Sequence, residues 1–299
     1  MYGLTKLVLG VSPFVEVDDT TYRSALHAKK CLREALEIEE KFDLLLSNYG
    51  EFEGELLQIG LRAAMYFENE WSASIGSLQT MNRRIVNLLT TCRLYLDQAE
   101  HNLSSMYGRD SNVARTMKTA RSAEYDARLG YRVMESLRNY VQHRGLPIHS
   151  MSLDGRWIDE ARNVRKHMRQ TVNLRLAVTN LAEDRKVRRA IIAELTALGE
   201  TSDLKMLIRD YVAGLGSVHE ILRVQIAGDL MTWDATIQDL VERYLAVAGD
   251  TVGLALVRRE GDISVEQTPI LAEPISRRRQ LADKNFQTKH YDKIVTTNY

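Results

Sequence analysis

The chain has 299 residues, 44% of them apolar and 27% charged, and its 40 basic side chains balance 40 acidic ones. That composition is what an ordinary soluble globular protein is expected to have, and the charge balance counts mildly against a dedicated nucleic-acid coat, while leaving room for local positive charge in a small cleft. The length suits one large domain or two, with enough chain to bury a core.

The N-terminal residues 4–16 look extended: Leu7, Leu9 and Val11 alternate before Pro13 interrupts them. This apolar run is too short for a signal-peptide core or a membrane span, and no other run approaches span length, so no membrane association is expected. Asp18, Asp19, Thr20 and Thr21 offer helix caps, and no proline follows until Pro147. In that proline-free stretch the spacing predicts a first helix with Ala25, Ala28, Leu32, Ala35 and Leu36 on one face. It is expected to end at Asn48-Tyr49-Gly50. A second helix from about Glu51 carries Leu56, Ile59, Ala63 and Phe67. A third carries Ile85, Leu88, Leu89, Cys92 and Leu96 and stops near Tyr107-Gly108. Asp110 or Ser111 caps a fourth, which bends at Gly130 into a helix with Leu129, Val133, Leu137 and Tyr140 on its apolar face. Gly145, suited to a left-handed C′ position, and Pro147 mark its end.

Beyond Pro147 the periodicity changes. Asp154-Gly155 suggests a turn, and Val172, Leu174, Leu176 and Val178 alternate as a strand. Helical pattern returns at 184–198. From Ser202 a near-heptad stripe of Leu204, Ile208, Tyr211, Leu215, Val218 and Leu222 follows, suited to packing on the rest of the chain or on a partner copy. Another helix is expected around Trp233–Ala248, and Leu254–Arg259 and Ile263–Gln267 flank Glu260-Gly261-Asp262 as a hairpin. Pro269 and Pro274 bracket a loop. Arg277-Arg278-Arg279 reads as a solvated charge run, and Lys284–Tyr299 as a weakly ordered tail or docking arm. The expected fold class is therefore mainly α: an N-terminal antiparallel helical bundle over 1–147, an α+β region with a small sheet over 148–283, and the tail 284–299. The N-terminal strand is a candidate to complete that sheet.

Cys31 and Cys92 are the only cysteines, with no C-x-x-C and no Cys/His cluster, which implies a reduced, cytoplasmic protein without structural zinc. H-E-x-x-H, Walker and G-x-S-x-G signatures are absent, and no cofactor is expected. Gly214-Leu215-Gly216 lies inside an apolar stripe and suits close helix packing. His219-Glu220 defaults to the surface.

The chemistry-bearing candidate is Arg138-Asn139-Tyr140-Val141-Gln142-His143, an R-N-x-x-x-H pattern in the last turns of the helix ending before Pro147. Five residues turn a helix by about 140°, so Arg138 and His143 lie on opposite edges of its apolar stripe. Asn139, four before His143, shares its face and suits holding the ring. Two copies about a two-fold axis would bring the Arg edge of one near the His edge of the other. An imidazole can move a proton at a ribose 2′-OH or a leaving 5′-oxygen, and a guanidinium forks a phosphate. Glu135, three before Arg138, is placed to hold its guanidinium, and His149 to reach the cleft from the following loop. A second match, Arg162-Asn163-Val164-Arg165-Lys166-His167, lies among Arg165, Lys166 and Arg169 and looks like a solvated basic segment.

At Arg138, Asn139 and His143 the chain resembles the HEPN superfamily of four- to five-helix domains. The resemblance covers roughly the first half of the chain. It implies a homodimer whose paired Arg and His residues cut RNA without metal and leave a 2′,3′-cyclic phosphate. Some members carry a Tyr two residues beyond the His, where this chain has Gly145. A toxin or phage-defence effector is the setting implied, with any regulatory or antitoxin partner on a separate chain. The competing readings are a non-catalytic helical interaction module, using the 204–222 stripe or the tail, and a nucleotide-binding module that cuts nothing.

Overall fold

Asp18 starts the longest helix: its Oδ1 accepts the Thr21 N–H at 2.6 Å, satisfying a donor that the first turn leaves unpaired. The computed structural model describes residues 1–66, 71–159, 166–261, 263–270 and 273–287. Within them the helices are α1 (Asp19–Tyr66), α2 (Trp71–Tyr107), α3 (Asn112–Ala127), α4 (Leu129–His143), α5 (Val178–Ala182), α6 (Arg189–Leu198), α7 (Leu204–Ala248) and α8 (Glu273–Lys284). The strands are β1 (Tyr2–Lys6), β2 (Val15–Val17), β3 (Ser150–Asp159), β4 (Lys166–Ala177), β5 (Thr201–Asp203), β6 (Leu254–Glu260) and β7 (Ile263–Pro269). The fold is mainly α, with two small antiparallel sheets. No helix among the described residues is long and apolar enough to cross a membrane.

Several local signals yield to packing. Asn48-Tyr49-Gly50 does not break α1, which continues to Tyr66. A glycine in a helix interior costs about 1 kcal/mol relative to alanine. Leu45 and Phe52, both fully buried on either side of it, each contribute about 1.5–3 kcal/mol by burial, which settles the balance. The helices expected at 202–222 and 233–248 are likewise one, α7, because Leu222, Ile226 and Trp233 keep a buried face through the gap. Asp154-Gly155 is not a turn: both residues are mid-strand in β3, opposite Thr171 and Gln170. Pro274 begins α8 rather than a loop, as a proline can in a first helical turn. The stop at Tyr107-Gly108 holds, with Gly108 at φ +89, and Ser111 caps α3 by accepting the Ala114 N–H.

The chain divides into two compact units, each discontinuous in sequence. The first comprises Met1–Lys41, Asp97–Met117 and Ile221–Phe286. Its sheet has the order β2-β1-β6-β7, so the N-terminal strand does complete the sheet of the C-terminal hairpin, with Leu4 opposite Leu256. Leu4, Leu254 and Leu256 join Tyr22, Ala25, Trp233, Ile237, Leu240 and Tyr244 in one core. Buried charge here is paired: Arg223 forks Glu39 at 2.8 and 2.6 Å. Arg278 and Arg279, expected to be solvated, both donate to Asp234 Oδ2, at 2.6 and 2.9 Å.

The second unit comprises Phe42–Leu96, Lys118–Glu220 and Gln287–Tyr299. The boundary expected at Pro147 therefore falls inside it. Its sheet has the order β3-β4-β5, and Val172, Leu174 and Leu176 bury one face of β4. The near-heptad stripe Leu204, Ile208, Tyr211, Leu215 and Val218 is buried in this unit, and Leu222, which falls in the first, is buried too, so the stripe is core and not a face open to a partner. His219 is buried as well, contrary to its surface expectation. Its ring stacks on Phe42 at 3.7 Å and its Nδ1 lies 3.0 Å from Tyr95 Oη.

Candidate functional site

The R-N-x-x-x-H pattern rides on α4, and the start of that helix is fixed by α7. Gly130 lies so close to α7 that a Cβ on it would stand 2.4 Å from the Leu207 carbonyl oxygen. Asp210 uses the same approach: its Oδ2 accepts the Gly130 N–H at 2.9 Å and its Oδ1 accepts Arg128 Nη1 at 2.9 Å. Arg128, extended at the N-cap position, also donates to Glu124. One carboxylate thus satisfies a first-turn donor and neutralises the residue that breaks α3 from α4. Gly214 is the second close approach, its Cβ position 2.9 Å from Tyr131, in keeping with the packing role expected of Gly214-Leu215-Gly216.

From this anchor α4 buries Gly130, Tyr131, Val133, Met134 and Leu137. The remaining face carries the candidate residues. Arg138 is half-buried, while Asn139 and His143 are exposed. Arg138 Nη1 donates to Asn139 Oδ1 at 3.3 Å, so the amide oxygen expected to orient His143 is turned toward the guanidinium instead. Among the described residues no carboxylate pairs with Arg138. Glu135 does not take that role: its Oε1 accepts the Tyr211 hydroxyl at 2.7 Å, and its Oε2 lies 3.9 Å from Arg93. The buried tyrosine draws the carboxylate inward, because an unpaired hydroxyl in the core would cost more than releasing a surface arginine.

The helix ends differently from expectation. Gly145 is not among the glycines with positive φ. Arg144, at φ −129 and ψ −59, leaves the helix, and the Arg144 and Gly145 N–H groups both donate to the Tyr140 carbonyl, at 2.8 and 3.4 Å. A Cβ at Gly145 would stand 3.3 Å from Tyr140 Oη, so the ring would have to give by a few tenths of an ångström to admit it. Ile148 N–H donates to the buried Asn82 at 3.0 Å, which fixes the exit.

His149 is a latch rather than a cleft residue. Its backbone N–H donates to the Arg175 carbonyl, and its Nδ1 accepts the Ala177 N–H at 3.0 Å. A ring nitrogen that accepts a backbone N–H carries no proton, so the proton sits on Nε2, 3.4 Å from Tyr140 Oη. Burial pushes its pKa below the ordinary histidine value, in agreement with a neutral ring.

The structure therefore brings Arg138 and Asn139 together, leaves His143 open to solvent beyond them, and assigns Glu135 and His149 to packing. In the second R-N-x-x-x-H match, Arg162 to Arg165 lie outside the described residues, and Lys166 and His167 open β4. Sequence reasoning passed over Arg156 and Trp157 and read Arg169 only as part of a solvated basic segment; all three lie on the β3–β4 ribbon. The signal that could have found them is the cross-strand register, hidden behind the apparent Asp154-Gly155 turn. Among the described residues no group of three or more His, Cys, Asp or Glu side chains could hold a metal ion. Comparison with protein-family models, curated proteins and solved structures gives no match to this chain.

Proposed function

We propose that the chain is a HEPN-like endoribonuclease, independent of metal, whose active site is completed by a second copy. The observation that carries this is the state of Arg138. Two other arginines are tied to carboxylates, Arg128 at the N-cap of α4 to Asp210 and Arg132 within α4 to Glu194. Among the described residues Arg138 has the neutral amide of Asn139 as its partner and no carboxylate, which leaves its N–H fork able to take a phosphate. His143, exposed in the last turn, suits proton transfer.

The reaction would be attack of a ribose 2′-oxygen on the adjacent phosphorus, with its proton passing to an imidazole. The bond to the 5′-oxygen breaks, that oxygen receives a proton, and the products are a 2′,3′-cyclic phosphate and a 5′-hydroxyl. Arg138 would hold the charge on the non-bridging oxygens. With about 140° between Arg138 and His143 around the axis, one protomer presents half a site and a two-fold mate supplies the rest. A toxin or defence effector restrained by a separate chain is the setting such chemistry suits.

The test is cleavage of a structured RNA in the presence of EDTA. His143→Ala and Arg138→Ala should each lower the rate by about 10²–10⁴-fold, with circular dichroism and thermal midpoint unchanged. Wild-type rates in both variants would end the proposal. RNA binding without cleavage by the native protein would leave only a phosphate grip at Arg138.

A further inference from the structure

We infer that the β3–β4 ribbon is an arm that grips single-stranded RNA. The choice of RNA rests on the ribonuclease reading above; the binding surface rests on the ribbon itself. β3 and β4 pair from Ser150 opposite Arg175 out to Asp159 opposite Lys166, but β5 covers β4 only at Arg175, Leu176 and Ala177. From Asn173 outward no further strand among the described residues pairs with the ribbon: Lys205 Nζ touches its β4 side at the Val172 carbonyl, and β3 is the outer strand. An isolated two-stranded ribbon is marginal by itself, which makes the side chains on it informative.

On one face, Arg156 stands directly opposite Arg169, and both are exposed. Directly opposed cross-strand residues have Cβ atoms about 4.5–5.5 Å apart, and like charges there repel. The nearest acid on that face, Asp154, is engaged by Asn173 Nδ2 at 2.6 Å. Two guanidiniums so placed can fork a single phosphate, which would turn the repulsion into attraction. On the other face, Trp157 is 67% exposed opposite Met168. Gly155 beside it makes room for the Met168 and Gln170 side chains, which its own Cβ would meet at 2.7 and 2.8 Å. An exposed indole offers a base a π-face to stack on, and stacking of this kind tolerates any sequence. A nucleotide strand crossing the free edge of β3 meets Arg156 on one side and Trp157 on the other, because neighbouring residues point to opposite faces. The base of the ribbon is tied to the end of α4 through His149, which bonds Ala177 of the strand end and faces Tyr140 of the helix.

Binding is separated from cleavage by using a fluorescent 2′-O-methyl oligonucleotide, which lacks the attacking hydroxyl, and reading anisotropy from 50 to 300 mM salt. The full chain should bind the single strand, and Trp157→Ala should weaken it about tenfold. Arg156→Gln/Arg169→Gln should weaken it at least as much and make the slope of log affinity against log salt shallower by about 0.7, the value for one phosphate on a single strand. That double variant relieves a like-charge pair, so its thermal midpoint should not fall. Wild-type affinity in both variants would overturn the arm while leaving the ribonuclease reading intact. Failure of the native chain to bind would also overturn it, as would equal binding of a polyglutamate peptide. Cleavage of native RNA by the same preparation then decides the ribonuclease reading on its own.

Discussion

At the start of α4, Arg128 is clamped between Glu124 and Asp210, whereas ten residues on Arg138 touches the Asn139 amide and no described carboxylate. One caps the start of the helix and the other lies in its later turns, and both are partly shielded from solvent. The difference lies in what faces them. The first turn abuts α7 so closely that a side chain on Gly130 would collide with it, and a cation held there needs an acid from that helix. The last turns face outward, and the one acid within reach along the helix, Glu135, is committed to Tyr211. An arginine in the first setting serves the fold. One in the second is available to a ligand.

The sharpest way to break this contrast is to remove Asp210. Asp210→Ala removes one of the two carboxylates that hold Arg128 and the acceptor of the Gly130 N–H. It should cost about 2–4 kcal/mol in urea unfolding, less than a fully buried pair would lose because both groups keep some exposure. Arg138→Ala should stay within about 0.5 kcal/mol of the native chain, as surface substitutions do. Equal losses for the two variants would show that Arg138 supports the fold after all.

Glu135 sharpens the same contrast with a smaller effect. Glu135→Gln keeps the shape but turns a charge-assisted bond from the buried Tyr211 hydroxyl into a neutral one, a loss of about 1 kcal/mol. Its RNA cleavage should match the native protein once stability is allowed for. A fall in cleavage at full stability would place Glu135 in the site beside Arg138.

These residues also mark how far the sequence could be read. The buried face of α4 was legible because Val133 and Leu137 follow helical spacing, and spacing needs no knowledge of the partner. The alternation of Val172, Leu174 and Leu176 disclosed β4 for the same reason. Glu135 was misassigned because Tyr211, which takes its carboxylate, is 76 residues away and leaves no local trace. Gly50 and Asp154-Gly155 carry turn signals that hold only where nothing larger is at stake. Leu45 and Phe52 outweigh the first, and the ladder opposite Thr171 and Gln170 outweighs the second. His143 does lie in the last turn of α4 as expected, but the helix ends through Arg144 and not through a left-handed Gly145.

The smallest effect tests whether His149 belongs to the fold or to the site. Its ring is held neutral by the Ala177 N–H donating to Nδ1 and by burial, so its folded pKa lies below the unfolded value of about 6.5. Above that value both states carry a neutral ring and the contribution is complete. As pH falls, the unfolded chain takes up the proton first, and stability is lost until the folded ring also protonates. His149→Asn can still accept the Ala177 N–H but cannot titrate. Between pH 7.5 and 5.5 the native chain should therefore lose up to about 1 kcal/mol more than the variant, measured as the difference in urea midpoints. Identical pH dependence would mean that the ring is free to protonate where it stands, and a protonatable imidazole within reach of Tyr140 would have to be counted with His143 as a proton carrier.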